Sequence, residues 1–508
     1  MDDTDLPGNL VRRLNIGDTL TRSAARAPAA LALVDGDRRF TYDEFNASVN
    51  RLANALRDRG YTRGDALALM SGNAAEFLFV YYACAKLGVV CVPINLAWSG
   101  SETAYVLEHS RARAIAVETA LLGGVPDGID TIVIPDDIAA LIEDGSAAEP
   151  EAFVDDRDAI SYLYTSGTTS APKGVVGSHT AIYVGAMSAA LDNRLTSGDR
   201  QAAMMPFFHT AQLNAFITPS VLTGGATFCL RAFDPAALLE LIERESLTQI
   251  FGLPMMYRAM LDHPDVATRD LSSLRLAFYA MAPMPDDDLR RCLDVFDCDF
   301  ALLFGQTEMS PITTVFRPEH QLSHTGAVGT PAANTQVAIM GEGGALLPQG
   351  ESGEIVYRGP NALEEYLRDD AATAKALEHG WFHSGDVGHF DADGVLWFED
   401  RTKDVIKSGG ENVASIEVEK ALYAAVPEIA EVVVIGLPHE RWTGAITAVC
   451  VPRPGAELTE DAVIDAVRPH LSGFKTPKAV VVRDALPRTS TGKVQKNVLR
   501  QELASHFG

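Results

Sequence analysis

From Thr41 to Pro135 the hydrophobic period switches repeatedly, and that alternation restricts the chain to an α/β architecture. The runs DALALM, VVCVPI, RAIAVE and TIVIP are short, continuous and apolar, as buried strands are, and EFLFVYYACAKLG reads as the helix between two of them. Thr41 and Glu44 have capping-box spacing ahead of FNASVNRLANALRDRG, whose apolar positions recur at helical intervals and whose Gly60 is a natural stop. The alternation continues through RQAAMMPFF, GATFCL and LTQIFGL, with Asp234 and Pro235 placed as N-cap and first residue of the helix PAALLELIERES. TQVAIM, GGALLPQGE and GEIVYRG then predict a small β-rich subdomain at about 325–402. The turn-rich, charged stretch ADGVLWFEDRTKDVIKSGGENV opens a second unit, followed by a helix IEVEKALYAAV, a strand EVVVIG and a basic helix after TGK. The reading is therefore a large N-terminal α/β domain, 1–402, and a small second domain, 403–508.

Composition narrows the function. At 508 residues the chain buries enough apolar surface to need neither disulfides nor structural metals. Its six cysteines lack metal-ligand spacing, and the acidic start MDDTDLPGNL does not resemble a signal peptide, so a cytoplasmic protein without structural zinc is expected. No apolar run reaches the roughly 18 residues of a membrane span. The net charge of -26 argues against nucleic acid or an anionic membrane as partner. That charge is uneven: residues 403–508 hold 13 bases and 13 acids, and residues 1–402 hold 29 bases and 55 acids. Seven of the ten lysines also fall after residue 402.

The sharpest chemical signal is YLYTSGTTSAPKGVVGSH, residues 162–179. An apolar strand runs into Thr165, Ser166, Gly167, Thr168 and Thr169, with Lys173 beyond. Small hydroxyl residues and glycine let backbone close around phosphate oxygens while lysine adds a point charge. The GxxxxGK[ST] spacing of the nucleoside-triphosphatase loop is absent. Further on, LLFGQTEMS sets Gln306, Thr307 and Glu308 just past an apolar strand, where loops present polar groups at the ligand edge of a sheet.

These segments resemble the hallmark motifs of the adenylate-forming superfamily, which comprises acyl-CoA synthetases, luciferases and peptide-synthetase adenylation domains, and the resemblance covers nearly the whole chain. It implies a two-step reaction: a carboxylate attacks the α-phosphate of Mg-ATP to give acyl-adenylate and pyrophosphate, and a thiol, usually that of coenzyme A, then displaces AMP. By the same resemblance Thr307 touches phosphate and Glu308 coordinates Mg2+. Asp386, in FHSGDVGHF, accepts hydrogen bonds from the ribose hydroxyls, and Arg401 reaches ribose and phosphate. The resemblance further implies stacked mixed sheets with helices in 1–402 and a mobile α+β domain in 403–508, with Lys403 at the hinge position, Gly409 and Gly410 lining the pantetheine tunnel, and Lys493 as the catalytic lysine of adenylation. Two departures are Ser170 and Asp400, where glycine is common in the family. His179, His383 and His389 lie near the motifs but are read as packing or hydrogen-bonding residues, because the incoming carboxylate is already ionised at neutral pH.

The acid site is implied by MMPFFHTAQLNAF and FYAMAPMP, which resemble the family's acyl-site segments. They place His209, Ala280, Met281 and, from the QTE segment, Gly305 beside the acyl group. Ala280 stands where many relatives have glycine, and Met281 and Met284 supply adaptable apolar volume. Neither segment offers a charged partner for a second carboxylate or an amino group. The expectation is an AMP-forming acid–CoA ligase for a modest-sized apolar acid, short or medium fatty or aryl. The alternative is a stand-alone adenylation enzyme that loads a carrier-protein thiol. Expected partners are small molecules, with a homodimer left open.

Overall fold

The computed structural model describes residues 5–165, 172–281, 284–489 and 494–507, without the side chain of Asn412. Helix Tyr42–Asp58 begins with the expected capping box: Thr41 Oγ1 accepts from the Glu44 N–H at 3.2 Å, and Glu44 Oε2 accepts from the Thr41 N–H at 2.8 Å. Two otherwise orphaned amide donors are thereby satisfied. Helix Ala75–Leu87 is buried along its whole length, as its all-round apolar sequence requires, and packs against helices Ile16–Arg26 and Tyr42–Asp58. Gly88 closes it in the left-handed conformation, φ 70°.

Two large sheets carry the first part of the chain. One has seven strands in the order Glu365–Tyr366, Lys173–Ser178, Ala159–Thr165, Val90–Pro93, Ala66–Met70, Ala112–Glu118 and Asp130–Ile134. The other has nine, and six of them, from Asp299–Gly305 through Leu276–Tyr279, Gln249–Gly252, Arg200–Ala203 and Ala226–Cys229 to Leu31–Asp35, are mutually parallel. A four-stranded sheet is formed by Gln336–Met340, Gly353–Arg358, Phe382–Phe390 and Leu396–Arg401. A five-stranded sheet, built on the long hairpin Ile429–His439 and Thr443–Pro452, carries the last part. This is the large mixed α/β body and smaller α+β portion that the sequence predicts. Among the described residues no helix is long and apolar enough to cross a membrane.

Three details differ from the sequence reading. The run RQAAMMPFF stops being strand at Ala203, because the Asn73 amide captures the backbone beyond it: Asn73 Nδ2 donates to the Met205 carbonyl and Asn73 Oδ1 accepts from the Phe207 N–H, both at 3.0 Å. GGALLPQGE makes one isolated bridge, Met340 to Leu346, around a short helical turn rather than a strand. The compact units are Met1–Val337 with Tyr357–Phe382, and Ala338–Val356 with His383–Gly508, so the region 325–402 is divided evenly between them, and its last strands group with the residues after 402. The cause is local: helix Ser415–Ala425 packs on strand Leu396–Arg401, and Asp400 Oδ2 accepts from the Ser415 N–H at 2.6 Å.

Candidate active site

In the first unit, strands Ala159–Thr165 and Lys173–Ser178 pair antiparallel, with Thr165 directly opposite Lys173. Ser166, Gly167, Thr168 and Thr169 lie outside the described residues. The Lys173 ammonium is 3.8 Å from Asp369 Oδ2 and 5.0 Å from the centre of the Tyr366 ring.

Strand Asp299–Gly305 ends in a sharp turn made possible by Gly305, where a Cβ would lie 1.9 Å from the Pro311 carbonyl oxygen. The Gln306 N–H donates to that oxygen at 2.9 Å, and Thr307–Met309 then form one helical turn. Glu308 is held at both ends: its carbonyl accepts from the Leu363 N–H at 2.7 Å, and Oε1 accepts from the Tyr366 hydroxyl at 3.0 Å. The buried Asn361 amide donates to the Met309 carbonyl at 2.7 Å. Gln306 Nε2 is buried with no protein partner, so this turn offers a spare donor to an oxygen-rich ligand. Among the described residues no cluster of three metal-ligating side chains exists. A single carboxylate such as Glu308 fits a cation whose remaining ligands are phosphate and water oxygens, the usual state of Mg2+.

The predicted acid-site residues share one edge of the nine-stranded sheet. Gly252 pairs with Tyr279 and Tyr279 with Leu302, so the chain leaves adjacent parallel strands near Leu253, Ala280 and Gly305 at similar heights. His209 follows the next strand of the same parallel set. The carboxyl edge of parallel strands is where such folds bind ligands. Ala280 is buried, whereas Met281 is half exposed and holds a left-handed φ of 69°, a strained state for a residue with a side chain.

His209 is the N-cap residue of the helical turn Thr210–Gln212, three residues before Gln212. Both His209 Nε2 and Gln212 Nε2 are shielded from solvent without a partner. Gln212 Oε1 is already engaged by the Met205 N–H at 3.1 Å. The π-turn Leu213–Ile217 follows, a departure from α geometry that recurs at functional sites.

In the second unit, Asp386 and Arg401 face each other across an antiparallel pair, with Arg401 Nε 3.0 Å from Asp386 Oδ1 and the carboxylate almost fully buried. Sequence reasoning left Asp400 as an odd departure. The structure gives it a structural duty, since its Oδ1 accepts from the Arg401 N–H at 2.8 Å and its Oδ2 caps helix Ser415–Ala425. Lys403 is exposed, and partial desolvation holds its ammonium below the usual lysine range. Gly409 and Gly410 have φ of 63° and 94°, and a Cβ on Gly409 would lie 3.3 Å from the Trp442 ring. Lys493 lies outside the described residues. The structure thus joins Lys173 with Glu308 and Asp386 with Arg401, each pair within its own unit. Tyr366, Asp369, Asn361 and Gln212 escaped the sequence reading; nothing short of long-range strand pairing would have signalled the first three.

His179 and His209 make the fold acid-sensitive. Burial pushes His179 down to about 3 and His209 to about 4. His179 also has Arg13 as a second cause, and its Nδ1 accepts from the Ile16 N–H at 3.1 Å, which requires neutral imidazole. Above the unfolded value of about 6.5 neither state is protonated and the two residues cost nothing. As pH falls from 6.5 towards 4 the unfolded chain takes up protons that the native state refuses, so stability falls. At about 1.4 kcal/mol per unit, each imidazole costs roughly 2 kcal/mol by pH 5. Thermal melts at pH 7.5, 6 and 5 should show this decline, and His179→Gln should flatten it; an unchanged melting temperature across the range contradicts the assignment.

Comparison with known proteins agrees with this geometry. Residues 20–367 match the AMP-binding enzyme family and residues 417–493 match the AMP-binding enzyme C-terminal domain. The chain belongs to the AMP-binding enzymes, the adenylate-forming acyl-CoA ligase superfamily. It is 35% identical to a feruloyl-CoA synthase of Amycolatopsis sp over 97% of this chain and 99% of that one. It is 33% identical to a long-chain-fatty-acid–CoA ligase of Mycobacterium tuberculosis, with the same coverage. Among solved structures it resembles ATP-bound MatB from Rhodopseudomonas palustris, with a TM-score of 0.91, 28% identity, and coverage of 98% of this chain and 100% of that one. The protein is an AMP-forming acid–thiol ligase of the acyl-CoA synthetase type.

Proposed function

We propose that the enzyme joins a modest-sized, largely apolar carboxylic acid, aryl or short to medium fatty, to coenzyme A through an acyl-adenylate. The observation that carries this reading is the sheet edge that gathers His209, Ala280, Met281 and Gly305, four residues without a carboxylate, ammonium or guanidinium. In this reading Thr165 to Thr169 and Lys173 cradle the phosphates, Gln306 and Thr307 donate to them, and Asp386 with Arg401 holds the ribose. Glu308 holds Mg2+, which would neutralise phosphate charge when bound. Lys493 brings an ammonium to the α-phosphate and acid, and Lys403 is the hinge between a body, 1–402, and a mobile domain, 403–508, whose Gly409 and Gly410 admit pantetheine. The setting is the cytoplasm.

The two shielded nitrogens on the His209 turn rank the acids further. Gln212 Nε2 is a buried donor without a partner, which costs about 1–3 kcal/mol that an acceptor oxygen on the body of the acid would recover, and His209 Nε2, donor or acceptor according to its tautomer, can serve a hydroxyl beside it. Oxygen-bearing aryl acids therefore rank above unsubstituted ones and above fatty acids, consistent with the feruloyl-CoA synthase among the relatives. The test is a panel of fatty, benzoic, cinnamic and hydroxy- or methoxy-substituted acids, read by ATP–pyrophosphate exchange without CoA and AMP release with it. Oxygenated aryl acids are expected to give the highest kcat/KM. No exchange with any acid overturns the reading, and AMP release with a phosphopantetheinylated carrier protein but not with free CoA replaces CoA as acceptor.

A further inference from the structure

Tyr366 touches two residues to which the proposed reaction gives opposite tasks, and it does so through two different parts of one side chain. Its hydroxyl donates to Glu308 Oε1 at 3.0 Å, while the Lys173 ammonium lies 5.0 Å from the centre of its ring. We propose that Tyr366 is a positioning residue for adenylation, which fixes the metal-binding carboxylate and the phosphate-binding ammonium relative to each other and keeps them from pairing. The inference rests on the reading of Glu308 and Lys173 given above.

The backbone shows how the side chain is set in place. Strand Glu365–Tyr366 pairs antiparallel with Lys173–Ser178, Tyr366 opposite Val175, and the Leu367 N–H donates to the Gly174 carbonyl at 2.8 Å. Just upstream, the Leu363 N–H holds the Glu308 carbonyl and the Asn361 amide holds the Met309 carbonyl. Residues 361–367 therefore bind the Glu308 turn with one end and the Lys173 strand with the other. Tyr366 is the member of this segment whose side chain reaches the functional groups of both.

The chemistry follows from the contacts. In the hydrogen bond between the Tyr366 hydroxyl and Glu308 Oε1 the phenol is the donor, because an ionised carboxylate can only accept. A carboxylate with Oε1 engaged by that donor loses rotational freedom and keeps Oε2 for a hard cation. Lys173 meets the electron-rich face of the ring and has Asp369 at 3.8 Å, but no ion pair within 4 Å links it to Glu308. A flexible ammonium and an adjacent carboxylate left to themselves attract each other strongly where water is scarce, and would cancel the two charges that Mg-ATP needs. With the lysine at the ring face beside Asp369 and the Glu308 carboxylate at the hydroxyl, the two charges are not spent on each other.

Two variants of the full-length enzyme separate the two contacts. Tyr366→Phe deletes the hydroxyl and keeps the ring, whereas Tyr366→Leu deletes both. ATP affinity is measured by titration calorimetry with Mg2+ and with excess EDTA, together with exchange activity and melting temperature. For Tyr366→Phe the gain in ATP affinity on adding Mg2+ should shrink by about 3- to 10-fold, with affinity in EDTA unchanged. For Tyr366→Leu the affinity in EDTA should fall as well, by about 3- to 10-fold. Wild-type Mg2+ dependence in Tyr366→Phe overturns the proposal, as does an equal loss with and without metal that tracks a lowered melting temperature, which marks a purely structural residue. If wild-type enzyme binds ATP equally with and without Mg2+, the assignment of Glu308 fails first.

Discussion

Lys493→Ala should reduce ATP–pyrophosphate exchange by about 100-fold or more, while thioester formation from presynthesised acyl-adenylate and CoA keeps most of its rate. The split follows from what each half-reaction needs. The acid arrives ionised and requires no base; the difficulty in the first step is bringing one anion against another, which an ammonium beside the α-phosphate relieves. In the second step the α-phosphate is already joined to the acyl group as a mixed anhydride; the thiolate attacks the acyl carbon, and the electron pair of the broken C–O bond leaves with AMP. The described residues on either side of Lys493 are anchored without it: Arg488 bridges to Val494 through the backbone and to Glu431 at 2.6 Å, and Lys496 is 2.9 Å from Glu419. The alanine variant should therefore melt within a few degrees of wild type. Lys493→Arg, which keeps the charge but changes its reach and shape, should recover part of the exchange rate. Equal loss of both half-reactions would refute the division of labour.

The sequence makes plain those parts of the fold whose cause is local. Capping at Thr41 and Asp234, the buried helix Ala75–Leu87 and the strands on either side of it need only neighbouring residues, and all form as expected. The polar residues after strand Asp299–Gly305 are equally legible, because a strand that ends in Gly-Gln-Thr-Glu advertises a loop at a sheet edge. What stays hidden depends on long-range pairing. Tyr366 belongs to a two-residue strand with no periodicity, and its importance appears only once that strand is laid against Lys173–Ser178 far upstream. Asp400 looked like a lost glycine until the amide of Ser415 was seen to need an acceptor. The division of the β-rich region between the two compact units has the same origin, since composition changes at residue 402 but the packing of strand Leu396–Arg401 on helix Ser415–Ala425 crosses that point.

Asp386→Asn should weaken ATP binding by about 100-fold and erase much of the enzyme's preference for ATP over 2′-deoxy-ATP. An ionised carboxylate presents acceptors to both ribose hydroxyls, and each charge-assisted bond contributes about 1.5–3 kcal/mol; asparagine keeps one neutral acceptor and turns a donor towards the other hydroxyl. A net loss near 2.7 kcal/mol corresponds to that hundredfold change. Stability should suffer less. The Asp386 carboxylate is nearly buried, but its partner Arg401 is about a third exposed, so the stranded guanidinium turns to water and the lost pair costs on the order of 1 kcal/mol. Deoxynucleotide discrimination separates a ribose ligand from a group that merely orients Arg401. If Asp386 acts only through Arg401, Asp386→Asn weakens ATP and 2′-deoxy-ATP by the same factor. If it binds the sugar directly, the variant loses more affinity for ATP than for the deoxy analogue, and the difference between the two factors measures the contact to the 2′-hydroxyl.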